Sequence, residues 1–266
     1  EPSVVVVNKK TGQIIAIGAS AKVMLGRTPG HVRAVRPVVD GVISDFEVTE
    51  EMLSYLIGKA EKMASKPIRP RVVIGVPTGI TNVEIRAVED AALSAGAREV
   101  YIIEEPMAAA VGIRLPVKDA VGSVIVDIGG GTTDVAVISM SGVVRSKNLK
   151  IAGDMLNNDI INYMKEEFKL LIGERTAESV KIAIGAVIAT DSLEAEVRGR
   201  DMVTGLPRQV IVTDSDIREA IMPSILDLVD GIKEVLETTP PELLSDIIHR
   251  GLVLSGGGAL LRGLDS

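Results

Sequence analysis

Val124-Ile-Val-Asp127-Ile-Gly129-Gly130-Gly131-Thr132-Thr133-Asp134-Val-Ala-Val-Ile138 consists of two apolar, β-branched runs separated by three glycines. Runs of this kind read as strands, and the glycines as the tip of the hairpin that joins them. Glycines at such a tip let the backbone take positive φ and let its N–H groups approach an anion with no Cβ in the way. Phosphate is the anion that fits. Asp127 near the end of the incoming strand and Asp134 just past the threonine pair flank the tip, where they can hold the hydration shell of a hard cation such as Mg²⁺. For a lone triple glycine, a tight hairpin with solvated aspartates is the plainer reading. The spacing Asp-x-Gly-Gly-Gly-Thr-x-Asp between two buried strands favours a nucleotide phosphate loop.

Working outward, the preceding half alternates strands and helices. Val4–Val7 and Ile14–Ile17 read as strands, Ser20–Leu25 as a short helix, and Arg27–Phe46 as loop and strand punctuated by Pro29, Pro37 and Asp40-Gly41. Thr49–Ala64 has helical periodicity with Thr49 as its cap. Val72–Val76 reads as a strand buried on both faces, Thr81–Ala95 as a helix closed by Gly96, and Val100–Ile103 as the next strand, an order that implies a parallel α/β layer. Asp119-Ala-Val-Gly122 is the expected boundary to a second layer. Beyond the hairpin come a strand over Gly142–Ile151, a helix over Asp154–Leu171 and a helix over Thr176–Ile184 capped by Thr176. A second hairpin is expected around Thr204-Gly-Leu-Pro207, then a long helix from Asp214, with Asp214 as cap, to about Glu237, and a helix started by Pro240-Pro241.

The 266 residues are 46% hydrophobic, enough for a large core and for two domains. With no cysteine there is no disulfide framework and no thiolate chemistry. A balance of 29 basic against 36 acidic residues with no block of like charge gives no nucleic-acid footprint, and two Phe, three Tyr and no Trp leave no base-stacking surface. No apolar run reaches the roughly 20 residues that span a bilayer.

Three further constellations carry chemistry. Gly256-Gly257-Gly258 follows the strand Leu252–Ser255 and precedes what reads as a helix start, whose exposed N–H groups make an anion site; alone it would be read as close packing, and paired with the first cluster as the opposite wall of a nucleotide cleft. Glu105 stands before Pro106 at the start of an Ala-rich helix, either compensating the helix dipole or orienting a water towards a γ-phosphate. Glu178 and Lys181 share a helical face, as a surface ion pair or as partners of ribose and adenine. His31 and His249 have no partners spaced for metal or triad chemistry.

Together, in this order along the chain, these motifs resemble the actin and sugar-kinase ATPase superfamily. The resemblance is closest to the MreB family of bacterial actin-like rod-shape proteins. It rests on Ile103-Glu-Glu-Pro-Met-Ala-Ala-Ala110, Val126-Asp-Ile-Gly-Gly-Gly-Thr-Thr133, Ile172-Gly-Glu-Arg-Thr-Ala-Glu178, Thr239-Pro-Pro-Glu-Leu243 and Arg36-Pro-x-x-Asp-Gly-Val-Ile43. It implies an α/β, actin-like ATPase fold: two domains, 1–119 and 120–266, facing each other across an ATP·Mg²⁺ cleft, with small subdomains at about 6–38 and 155–218. Glu105 and Asp127 are the implied catalytic residues. Gly129, Gly130, Gly131 and Thr132 would hold the β- and γ-phosphates, Asp127 and Asp134 the magnesium shell, Glu178 and Lys181 ribose and adenine, and Gly256, Gly257 and Gly258 the adenosine side. Asp134 is one methylene shorter than the Glu frequent in the family.

The resemblance also implies self-association on ATP into paired protofilaments, a cytoplasmic location at the inner face of the membrane, and partnership with the peptidoglycan-elongation machinery. Weak lipid contact would fall to Met63-Ala-Ser-Lys-Pro-Ile-Arg-Pro70. The family's first phosphate loop, Asp-Leu-Gly-Thr, and its C-terminal helix are not in this sequence, so the chain is expected to be a piece of a longer protein. Rival readings are a DnaK-type chaperone, which needs a long β-rich region after the ATPase, and a sugar or acetate kinase, which needs a catalytic base in the first domain.

Overall fold

The computed structural model describes residues 2–63, 69–189 and 193–266, which fall into two compact units, Glu1–Glu104 and Glu105–Ser266. In the first unit, β1 (Val5–Asn8) lies between β2 (Ile14–Ile17) and β3 (Val32–Val35), antiparallel to both. Central placement explains an unbroken valine run: Val4 and Val6 face Ala21 of α1 (Ala19–Lys22), while Val5 and Val7 face Met52. β4 (Val38–Val39) and β5 (Val42–Ile43) form a two-residue hairpin at Asp40-Gly41, both with positive φ (50° and 78°), as a tight hairpin turn requires.

α2 (Phe46–Met63), β6 (Arg71–Val76), α3 (Asn82–Ser94) and β7 (Glu99–Glu104) complete the unit, with β6 and β7 parallel. Two expectations change here. Thr49 lies inside α2, its hydroxyl donating to the Asp45 carbonyl (2.7 Å), and the Asp45 carboxylate accepts the Val48 N–H at 3.2 Å in the capping role. β6 is covered on one face, where Val72 and Val100 meet Ile57 and Ala95. On the other face Val73 is 66% exposed, so the apolar run does not mark burial on both sides.

In the second unit, β8 (Ser123–Ile128), β9 (Thr133–Ser139) and β10 (Gly142–Leu149) form an antiparallel meander, and β14 (Leu252–Ser255) adds parallel to β8. α4 (Glu105–Gly112) covers one face through Ala110 against Ile125, Ala136 and Ile138. That packing places the unit boundary at Glu104/Glu105, earlier than Asp119–Gly122. The opposite face, with Val124, Val126, Val135 and Val137, packs on α7 (Asp214–Glu237) and α8 (Pro241–Arg250). Between these elements, α5 (Gly153–Glu166), β11 (Leu170–Leu171), α6 (Glu174–Ile184), β12 (Glu194–Asp201), β13 (Pro207–Thr213) and the first half of α7 enclose a separate core reaching from Leu156 to Ile225.

Three helix ends differ from the sequence reading, each for a local reason. α5 stops at Glu166 because Lys169 takes positive φ (52°), after which Leu170-Leu171 pairs with β12 as a strand. α6 starts from Gly173, and Thr176 lies in its first turn with its N–H on the Gly173 carbonyl at 3.0 Å. α7 is capped by Thr213 in a reciprocal box with Asp216, which leaves Asp214 as the first helical residue, paired with Arg218 at 3.3 Å. Thr213→Ala should lower unfolding stability by about 1 kcal/mol in denaturant titration, with Thr213→Ser near wild type. Equal stability of Thr213→Ala and wild type would remove the cap from the description.

Candidate functional site

The register of the hairpin fixes the site, because Asp127 on β8 sits directly opposite Asp134 on β9. Like charges across a strand pair repel, so each carboxylate needs donors. Asn148 Nδ2, itself opposite Asp134 on β10, donates to Asp134 Oδ2 at 3.0 Å, and the Ser255 hydroxyl, opposite Asp127 on β14, donates to Asp127. Neither donor is recognisable as such in the sequence, since only the strand register aligns them. Burial, partly offset by Ser255 and reinforced by Asp134, pushes the Asp127 carboxyl above the usual aspartate range.

Glu105, the first residue of α4, belongs to the same cluster. Its carboxyl is pushed up to about 7, first by burial and then by the charges of Asp134 and Asp127. The structure thus brings together the three carboxylates named from the sequence, at one end of the hairpin. Among the described residues no three acidic or histidine side chains stand close enough to ligate a metal directly. The donor set, three carboxylates of which Glu105 and Asp127 are raised by desolvation and neighbouring charge, fits a hydrated cation held through its waters.

The tip works differently from expectation, because none of Gly129, Gly130 and Gly131 has positive φ. Gly129 N–H closes the turn on the Thr132 carbonyl at 2.9 Å. The carbonyls of Gly129 and Gly130 accept the N–H groups of Gly153 and Asp154 at 3.1 and 2.7 Å, where α5 begins. In a planar trans peptide the N–H points opposite to the C=O. Holding these two carbonyls on α5 therefore turns the Gly130 and Gly131 amides outward, and among the described residues neither amide donates to a protein acceptor. A Cβ on Gly130 would meet nothing within 4 Å, so an anion can approach. Thr132 is buried beside them.

At the second glycine cluster two of the three residues pack closely on Ile128. Gly256 has φ 82°, and a Cβ there would stand 2.3 Å from the Ile128 carbonyl oxygen; a Cβ on Gly258 would stand 2.2 Å from Ile128 Cγ2. The segment Gly258–Leu260 is a single 3₁₀ turn, too short to supply a helix N-terminus, and Gly257 alone is open. Glu178 is half-buried on α6, and Lys181, one turn on, donates to the Gly153 carbonyl at 2.7 Å, which places its ammonium beside the glycine tip.

The raised Glu105 carboxyl carries a pH signature. A carboxyl that holds its proton more tightly when folded stabilises the fold below its unfolded value of 4.5, and that stability is lost as pH rises to about 7. Glu105→Gln should therefore flatten the pH dependence of stability between those values and exceed wild type in thermal melts at pH 8 without ligand. An unchanged pH profile would show that Glu105 titrates as a free side chain.

A family model described as MreB/Mbl protein matches residues 1–266. The cell shape-determining protein Mbl of Bacillus cereus is 50% identical over 266 residues, covering 100% of this chain and 80% of that protein. The cell shape-determining protein MreB of Escherichia coli is 50% identical over 270 residues, with 100% and 78% covered. Among solved structures, MreB5 of Spiroplasma citri bound to ADP superposes with a TM-score of 0.95 at 38% identity, covering all of this chain and 80% of the other. The MamK double helical filament, at 23% identity with a TM-score of 0.80 over 98% of this chain and 80% of that one, shares the fold. This chain therefore has the actin-like ATPase fold and belongs to the MreB/Mbl family of actin-like, cell shape-determining cytoskeletal proteins.

Proposed function

We propose that this chain binds ATP with Mg²⁺ at the Gly129–Thr132 tip and couples its hydrolysis to the assembly of filaments that act in cell shape. The observation that carries this reading is the convergence of Glu105, Asp127 and Asp134 on a glycine tip whose amides face outward. Structures of MreB5 bound to ADP and to AMPPNP support it.

In this reading the Gly130 and Gly131 amides, with Thr132, hold the β- and γ-phosphates. Asp127 and Asp134 hold the waters around Mg²⁺; Ser255 and Asn148 keep the two side chains in place. The metal supplies neutralisation of charge on the phosphate oxygens. Glu105 accepts a hydrogen bond from the attacking water and takes its proton, and a carboxyl held at about 7 is well matched to that work near neutral pH. Glu178 takes the ribose hydroxyls, the Lys181 stem lies along the base, and Gly257 borders the adenosine.

Family membership supports self-association, and pairing of protofilaments is part of the proposal, with the MamK double helical filament as a precedent for the fold. Contact with the inner face of the cell membrane and with the wall-elongation machinery completes the proposal. The loop Met63–Pro70, named for lipid contact, lies mostly outside the described residues. Among the described residues no helix is long and apolar enough to cross a membrane.

Glu105→Ala in the full-length protein should leave ATP affinity near wild type and slow hydrolysis by roughly 10²–10⁴, with filaments that persist longer by electron microscopy. Hydrolysis at the wild-type rate would reduce Glu105 to a dipole-compensating residue. Asp127→Asn should weaken Mg²⁺-dependent ATP binding and hydrolysis together in calorimetry and phosphate-release assays. ATP affinity unaffected by Mg²⁺ in wild type and variant alike would remove the metal role. ATP-dependent sedimentation of the wild type tests assembly, and a monomer at every concentration would exclude it.

A further inference from the structure

Gly153 is a junction of three segments. It opens α5, its N–H donates to the Gly129 carbonyl at 3.1 Å, and its carbonyl accepts the Lys181 ammonium at 2.7 Å. A Cβ at Gly153 would stand 3.3 Å from Gly129 O, 3.5 Å from Lys181 Nζ and 3.6 Å from Gly130 Cα, so the segments meet closely only around a glycine. Next to it, Asp154 N–H holds the Gly130 carbonyl at 2.7 Å. Lys181 is carried on α6, which is anchored by Ala177, Val180 and Ile184 in the core that α6 shares with α5 and α7. A hydrogen bond from a charged donor is roughly twice as strong as a neutral one.

We propose that Lys181 is a positioning residue for the phosphate loop. Its ammonium pins the first turn of α5; that turn holds the Gly129 and Gly130 carbonyls; and peptide planarity then keeps the Gly130 and Gly131 amides turned towards a phosphate. This role rests on the nucleotide reading above and goes beyond it, because it assigns the head of Lys181 to the loop whatever its stem does at the base. It also makes α6, which bears Glu178, mechanically continuous with the loop.

Lys181→Met keeps an apolar stem and removes the ammonium, which separates the two ends of the side chain. Amide hydrogen exchange on the nucleotide-free protein, read at Gly153 and Asp154, tests the pin without any ligand. Calorimetric titration with ATP and with GTP tests its consequence. In Lys181→Met, exchange at both amides should rise about tenfold, and ATP and GTP affinities should fall by a similar factor with their ratio unchanged. Lys181→Arg should restore both. Unchanged exchange with ATP affinity intact would overturn this proposal alone, as would a shifted ATP-to-GTP ratio with exchange unchanged, which would place the ammonium at the base. A wild-type protein that binds neither nucleotide would overturn the parent reading and this proposal with it.

Discussion

Two aspartates facing each other across an antiparallel strand pair are a constraint that the rest of this unit answers. Like charges in that position cost up to about 1 kcal/mol, and burial adds to the cost. The sheet supplies one donor to each from the outer strands, Asn148 from β10 and Ser255 from β14, at the positions where register brings them opposite. A slip of one residue in either pairing would turn the side chains to the other face and break the arrangement. The continuous valine and isoleucine content of β8 and β9, buried on both faces, is what makes such a slip expensive.

The same hairpin ties the separate core around α5 and α6 to the sheet. Thr133, fully buried at the start of β9, donates to the Ile151 carbonyl at 2.6 Å, just before α5 begins. Two N–H groups at the start of α5 then grip the glycine tip. At the tip and at Gly153 glycine serves approach rather than unusual dihedrals, since none of these residues has positive φ, whereas Gly256 combines φ 82° with a position where a side chain would meet backbone. Facing carboxylates, outward amides and a gripped tip are the features on which the proposed cation and phosphate site rests.

Much of this was legible in the sequence because the signals are local. The hairpin, the Glu105-Pro106 helix start and the order of strands and helices follow from β-branched runs, glycines and helical periodicity, and they sufficed to point to the family. The caps are not decided by the sequence where two capping residues compete within a few positions, as with Thr213 and Asp214, or Asp45 and Thr49, because the choice depends on which side chain reaches a free N–H of the first turn. Burial of β6 was overestimated because a hydrophobic run does not say how many faces are covered. Ser255 and Asn148 were hidden as carboxylate partners because strand register brings residues together across 128 and 14 positions of chain (255 − 127 and 148 − 134).

The carboxylate cluster as a cation-completed site can be tested by proton release. Calorimetry in buffers of different ionisation enthalpy measures the protons freed when Mg²⁺ is added to the ADP-saturated full-length protein at pH 7. With Glu105 held at about 7, roughly half a proton more should leave the wild type than Glu105→Gln, because the cation favours the ionised carboxylate. Equal release from the two proteins, with Mg²⁺ bound in both, would contradict a site in which Glu105 faces the metal-bearing end of the hairpin.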